Sequence, residues 1–236
     1  MITPSREERE PGGRFTPSAF VICVSFLNNT LYGVPLLLGD LKKSRGEHRM
    51  KSLEQFTHDV MKYVGSGYKY VKIAKVPESK GHKLPQIIKK VSEYYQTDIS
   101  RGKRQYRRRQ NKANYGMAVY GHIIVIFRTE GDHTDKSTEF QEIGKRLSIK
   151  ISDYTTLVVF KDERDIWTIR LDRDTYRRIR DEILLHIKNG NRRGYRRVLQ
   201  AFRRFPNWKG IGTQQKALYE VIRRAKKVYN ADWVYI

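Results

Sequence analysis

The sequence predicts an α+β fold: a small mixed β-sheet with packed helices, followed by an all-helical C-terminal unit of about three helices. Three observations lead there. Short β-branched and aromatic runs alternate with amphipathic helical stretches over residues 18–172. Residues 173–236 keep helical periodicity almost throughout. The 236 residues suit one large domain or two small ones, and 39% hydrophobic with 11% aromatic content supplies a core, which excludes wholesale disorder.

Residues 1–17 mix acids and bases with Pro and Gly. They read as a disordered tail without the basic start of a signal peptide. Residues 19–28 (AFVICVSFLN) predict a buried strand. Ser52 caps a helix through Tyr63, with Leu53, Phe56, Val60 and Val64 on one face and Gly65-Ser66-Gly67 as its stop. Residues 68–76 alternate as a strand. Leu84, Ile87, Ile88, Val91 and Tyr95 share the inner face of a short helix. Residues 97–114 form a basic connector. Residues 118–128 (AVYGHIIVIFR) are apolar enough for a central strand. Phe140, Ile143 and Leu147 place a helix over residues 137–147, and residues 156–160 and 166–171 form a hairpin.

Asp174 caps the next helix, with Tyr176, Ile179, Ile183, Leu184 and Ile187 inward and Asn189-Gly190-Asn191 at its end. Tyr195, Val198, Leu199, Phe202 and Phe205 mark a second helix. Leu218, Val221, Ile222, Ala225, Val228 and Tyr229 mark a third. The order β-α-β-α-β-α-β-β-α-α-α is compatible with a ferredoxin-like core. No apolar run approaches the roughly 20 residues that span a bilayer. Cys23 is the only cysteine, so no intramolecular disulfide forms, and the composition predicts a soluble, cytoplasmic or nucleoid-associated protein.

Charge carries the functional signal. Lys+Arg number 48 against 25 Asp+Glu, a net +23. The excess is concentrated: residues 101–128 hold 8 bases and no acid, and residues 183–236 hold 13 bases and 2 acids. Residues 129–182 hold 11 bases and 13 acids. Such blocks repel themselves unless a polyanion offsets them, and nucleic acid is the usual one. The first block is Arg101, Lys103, Arg104, Arg107, Arg108, Arg109 and Lys112, with Tyr106 placed to stack on a base. The second is Arg192, Arg193, Arg196, Arg197, Arg203 and Arg204 on one helix, with Lys216, Arg223, Arg224, Lys226 and Lys227 on the next. Each of these helices pairs an apolar side with a cationic one.

Between the two helices, residues 205–221 contain Lys209-Gly210-Ile211-Gly212-Thr213, which resembles a helix-hairpin-helix DNA-binding motif. The resemblance implies that Gly210 and Gly212 offer backbone N–H groups to a DNA phosphate without reading sequence, with Lys209 and Lys216 adding charge. Lys209 departs from the apolar or proline residue usual before the first glycine. An ordinary turn between helices, plugged by Trp208 and Ile211, reads the same residues.

Gly131-Asp132-His133-Thr134-Asp135 follows directly on the most apolar strand. It is good turn and capping chemistry. It also admits Asp132 and Asp135 as ligands for Mg²⁺ or Mn²⁺, with Asp132, His133 and Asp135 the catalytic set of a nuclease or strand-transfer enzyme. No G-x-x-x-x-G-K-[ST], G-x-S-x-G or H-E-x-x-H pattern occurs, which disfavours an ATP-driven motor and the common hydrolases.

The sequence therefore predicts a nucleic-acid binder, DNA ahead of RNA, gripping phosphates with low sequence specificity and needing no cofactor. Replication, recombination or mobilisation of a mobile element would suit it. The metal-dependent nuclease is one alternative. An RNA-binding protein is the other, with Tyr68 and Tyr70 as candidate stacking residues on a sheet face. No membrane partner is expected, and the oligomeric state stays open.

Overall fold

In the computed structural model of the chain, which describes residues 52–133 and 140–236, the strands divide into two antiparallel sheets. The first contains β1 (Tyr70–Lys75), β2 (Tyr115–Tyr120), β3 (Ile123–Arg128) and β4 (Gln141–Glu142) in the order β2-β3-β1-β4. The second contains β5 (Arg146–Ser152), β6 (Thr155–Lys161) and β7 (Trp167–Leu171) in chain order. The helices are α1 (Leu53–Gly65), α2 (Leu84–Tyr95), α3 (Arg101–Arg109), α4 (Arg173–Lys188), α5 (Arg192–Arg203) and α6 (Lys209–Val228). The α+β class and the helical C-terminal part are as the sequence predicts. The antiparallel β1–β3 pairing departs from a ferredoxin-like sheet, whose central strands run parallel. The tail at 1–17 and the strand expected at 19–28 lie outside the described residues.

The first sheet is buried on both sides, which is why every residue of β3 is buried. Phe127 and Val125 of β3 lie opposite Gly116 and Ala118 of β2, and this face takes α1 through Phe56, Val60 and Val64. Ser52 caps α1 by accepting from the Gln55 N–H at 3.1 Å. On the other face, Ile124, Ile126 and Tyr115 pack with Leu84 and Tyr95 of α2, joined by Ile87, Ile88 and Val91. Tyr68 and Tyr70 are therefore packing residues. Tyr68 is buried, and Tyr70 lies under the Arg128 guanidinium at 4.7 Å.

Local structure departs from the sequence expectation in several segments. Residues 118–128 are a hairpin, not one strand, because Gly121 at φ +53° turns the chain. Residues 101–109 of the basic connector are helical, with Ser100 accepting from the Lys103 N–H at 3.3 Å. The helix expected at 137–147 is absent where the chain is described. Gln141–Glu142 pairs with β1, and Leu147 sits in β5, whose alternation of exposed and buried residues over Arg146–Ser152 has the period of a strand.

Of the C-terminal helices α6 packs on β7 of the second sheet, and α4 packs against α5 and α6. Asp172, not Asp174, caps α4 by accepting from Thr175 N–H at 3.1 Å. Gly194 of α5 lets the His186 ring lie against the helix backbone; an added Cβ there would come within 2.4 Å of the ring. On α6, Leu218, Ile222 and Ala225 face inward, whereas Val228 is 73% exposed and Tyr229 44% exposed, so the apolar stripe ends a turn before the sequence suggests. The first turn of α6 meets β7. Gly210 N–H donates to Thr168 Oγ1 at 3.1 Å, and the Gln214 amide both donates to and accepts from the Leu171 main chain, each at 2.9 Å.

An alanine at 210 would place Cβ 2.5 Å from the Ile169 carbonyl oxygen, whereas at 212 the nearest neighbour is Asn207 Oδ1 at 3.5 Å. Chemical denaturation should therefore show Gly210→Ala destabilising by about 1–3 kcal/mol. Gly212→Ala should be neutral or stabilising by up to ~1 kcal/mol, because alanine is the better helix former.

Candidate nucleic-acid interface

Helix α3 carries RGKRQYRRR and buries none of its residues. With no apolar stripe, and with arginines repeating at i, i+3 and i+4, it repels itself and has no hydrophobic reason to dock. Arg104 supplies one. Its guanidinium donates to the Ile99 carbonyl at 3.2 Å, to the Tyr115 carbonyl and the Tyr68 hydroxyl, each at 2.8 Å, and to the Thr97 carbonyl. Asn114 Nδ2 returns a bond to the Arg104 carbonyl at 3.1 Å. The fork geometry of guanidinium spreads these bonds over the loop before α3 and two strand ends. Burial raises the Tyr68 phenol pKa, against the pull of Arg104, so the hydroxyl is neutral and accepts. Arg104, expected to hold phosphate, instead pins the helix.

The other cations of this block form no salt bridge among the described residues. Arg101, Lys103, Arg108, Arg109 and Lys112 are exposed and have no carboxylate partner among the described residues. Arg107 is half-buried, with Nη1 lacking a hydrogen-bond acceptor. Tyr106 is 61% exposed, its hydroxyl accepting from Gln110 at 2.7 Å. Arg101, Arg104, Gln105 and Arg108 share one side of α3 and line a cleft of about 740 Å³ with Lys62, Tyr63 and Ser66 at the end of α1, Tyr68, and residues 97–99. The sequence does not single out Lys62, Tyr63, Ser66, Thr97, Asp98 and Ile99. They lie outside the cationic blocks or are uncharged, and only the fold gathers them.

The second block is two helices. Arg192, Arg193, Arg196, Arg197, Arg203 and Arg204 of and just after α5 are exposed, opposite the buried Tyr195, Val198, Leu199 and Phe202. Arg193, Arg196, Lys216, Arg224 and Lys227 have no carboxylate partner among the described residues. Others are steadied without losing their charge. The Arg192 guanidinium sits 5.7 Å from the Trp233 ring centre, Arg203 5.8 Å from Tyr219, and the Lys226 ammonium 5.8 Å from Tyr235. Arg223 pairs with Glu220.

The glycines do not form the expected hairpin. Gly210 and Gly212 lie inside the first turn of α6; the Gly210 N–H is given to Thr168 and the Gly212 N–H to the Trp208 carbonyl at 2.8 Å. Neither amide is left for a phosphate. Their smallness serves close packing on β7 at Gly210 instead. Lys209 is likewise committed, to the carboxylate of Asp162 in the β6–β7 turn.

Asp132 and His133 are exposed. The Asp132 main chain bridges to residues 111–113, accepting from Ala113 N–H at 2.9 Å and donating to the Asn111 carbonyl at 2.7 Å. Asp135 lies outside the described residues. Among those described, no three His, Cys, Asp or Glu side chains are grouped to hold a metal ion. No helix of the described residues is long and apolar enough to cross a membrane. Set against family models, curated proteins and solved structures, the chain matches none.

Two outcomes follow from these contacts. Arg104→Lys keeps the charge but not the fork, and should lower the unfolding free energy by about 2–4 kcal/mol, where Arg109→Lys changes it by less than ~0.5. Lys209, with the Ile166 and Arg164 N–H groups, holds the Asp162 pKa down to about 2 from 3.8. A carboxyl depressed in the folded state stabilises it above its ordinary pKa and loses that contribution as pH falls towards the folded value. Unfolding midpoints measured from pH 5 to pH 2 should therefore fall less steeply, below about pH 4, in Asp162→Asn than in the parent chain.

Proposed function

We propose that the chain binds nucleic acid through its phosphate backbone, with low sequence specificity. One observation carries this reading: the two densest cationic blocks fold into exposed helix faces whose cations largely lack carboxylate partners among the described residues. A face that only needed solvation would mix signs, and a +23 chain keeps such faces at a cost in self-repulsion. A polyanion removes that cost and gains entropy from released counterions. Arginine predominates in both blocks, and its planar fork matches phosphate oxygens.

The glycine motif was the feature that favoured DNA, and its amides are used internally, so DNA and RNA become arms of one test. Binding of labelled random-sequence duplex DNA, single-stranded DNA and RNA should weaken steeply with salt, with a log–log slope reflecting at least about five phosphates. Arg193→Ala with Arg196→Ala should flatten that slope by roughly two and weaken all sequences alike. A slope unmoved by these changes removes α5 from the interface, and a chain that retains none of the three polymers at low salt overturns the proposal.

A further inference from the structure

We infer that the cleft between α1 and α3 receives an unpaired nucleotide, so that the protein prefers single-stranded to duplex nucleic acid. This rests on the nucleic-acid reading above and sharpens it to a strand class.

The cleft has the two parts that such a ligand needs. Its lining is cationic: Lys62 of α1, whose ammonium lies 5.9 Å from the Tyr63 ring centre, and Arg101 and Arg108, two helical turns apart on α3 and about 10 Å apart along its axis. Its interior is aromatic and polar. Tyr63 lines it and is held by a stack on Phe127 (centroids 5.2 Å, 27°) and an edge contact with Tyr68 (5.1 Å, 71°). Gly116 makes room for that ring: a Cβ there would come within 2.2 Å of it. The ring is therefore fixed before any ligand arrives, and a rigid aromatic surface stacks bases without regard to sequence.

Gln105 and Ser66 add uncharged hydrogen-bonding groups. Asp98 is the one acid of the lining. It is a poor neighbour for phosphate and a good acceptor for the exocyclic amino group of a base. The volume of about 740 Å³ lies in the range of small-ligand sites, roughly 300–1,000 Å³. A duplex presents its backbone to such a concavity but keeps its bases stacked; only an unpaired or extruded nucleotide brings a base within reach of Tyr63.

The test compares labelled single-stranded DNA and RNA with a duplex of equal length, using the full chain and the variant Arg101→Ala/Gln105→Ala/Arg108→Ala. These three side chains are exposed, and circular dichroism checks that the variant is folded. The parent chain should bind single strands at least tenfold tighter than duplex, and the variant should lose at least tenfold more on single strands than on duplex. Amide resonances of Ser66, Thr97 and Ile99 should shift with cytidine or adenosine monophosphate, and less with inorganic phosphate at the same concentration. Equal affinity for both forms, or equal losses in the variant, overturns the inference while leaving backbone binding intact. So do equal shifts with phosphate alone, which mark an anion subsite. Failure to bind any polymer overturns the broader reading with it.

Discussion

The guanidinium of Arg104 decides whether the first cationic block has a shape. Without an apolar face, α3 would be a charged segment in water, its arginines repelling along the axis. Bonds to three main-chain carbonyls and one phenol replace the missing hydrophobic contact and fix the helix against the ends of β1 and β2. Everything that α3 displays follows from that anchor. Arg101, Gln105 and Arg108 turn towards the end of α1, and Lys103, Tyr106 and Arg109 turn outward. One arginine is thus spent on structure, and its neighbours are held in fixed directions by it.

Acids are used in this molecule as structural parts. Asp162 closes the β6–β7 turn and holds Lys209, Asp172 caps α4, and Asp165 reaches Lys161 across the same turn. Glu220 steadies Arg223 within α6. Among the described residues no salt bridge joins a carboxylate to α3, so the near-neutral middle of the sequence and its first basic block reflect a division of labour. The turn of the second sheet uses its carboxylates internally, and α3 leaves Arg101, Lys103, Arg108 and Arg109 exposed to the solvent.

What was legible in the sequence was local and periodic. Ser52 with Leu53, Phe56, Val60 and Val64 marked α1; Leu84 through Tyr95 marked α2; Tyr195, Val198, Leu199 and Phe202 marked the inner face of α5. Each signal is set within a few turns of chain. The failures came where a neighbour distant in sequence decides. Gly121 splits an apolar run because the two halves pair with each other, which composition does not record. Gly210 looked like a phosphate-facing glycine, but the Ile169 carbonyl, some forty residues earlier, is what presses on it. Arg104 is indistinguishable in sequence from the arginines around it; its role appears only when Tyr68 and Tyr115 are brought beside it. The cleft joins α1 to α3 across a stretch of chain that no motif spans.

The main-chain pair between Gln214 and Leu171 has a consequence beyond packing. β7 is one of the two outer strands of its sheet, and an uncapped outer strand invites another chain to add to the ladder. At Leu171 both main-chain groups are already answered by one side chain of α6, and the Thr168 hydroxyl is engaged by Gly210. Another chain approaching this end of β7 would meet main-chain groups that are already engaged, which leaves less of the edge open to extend the ladder.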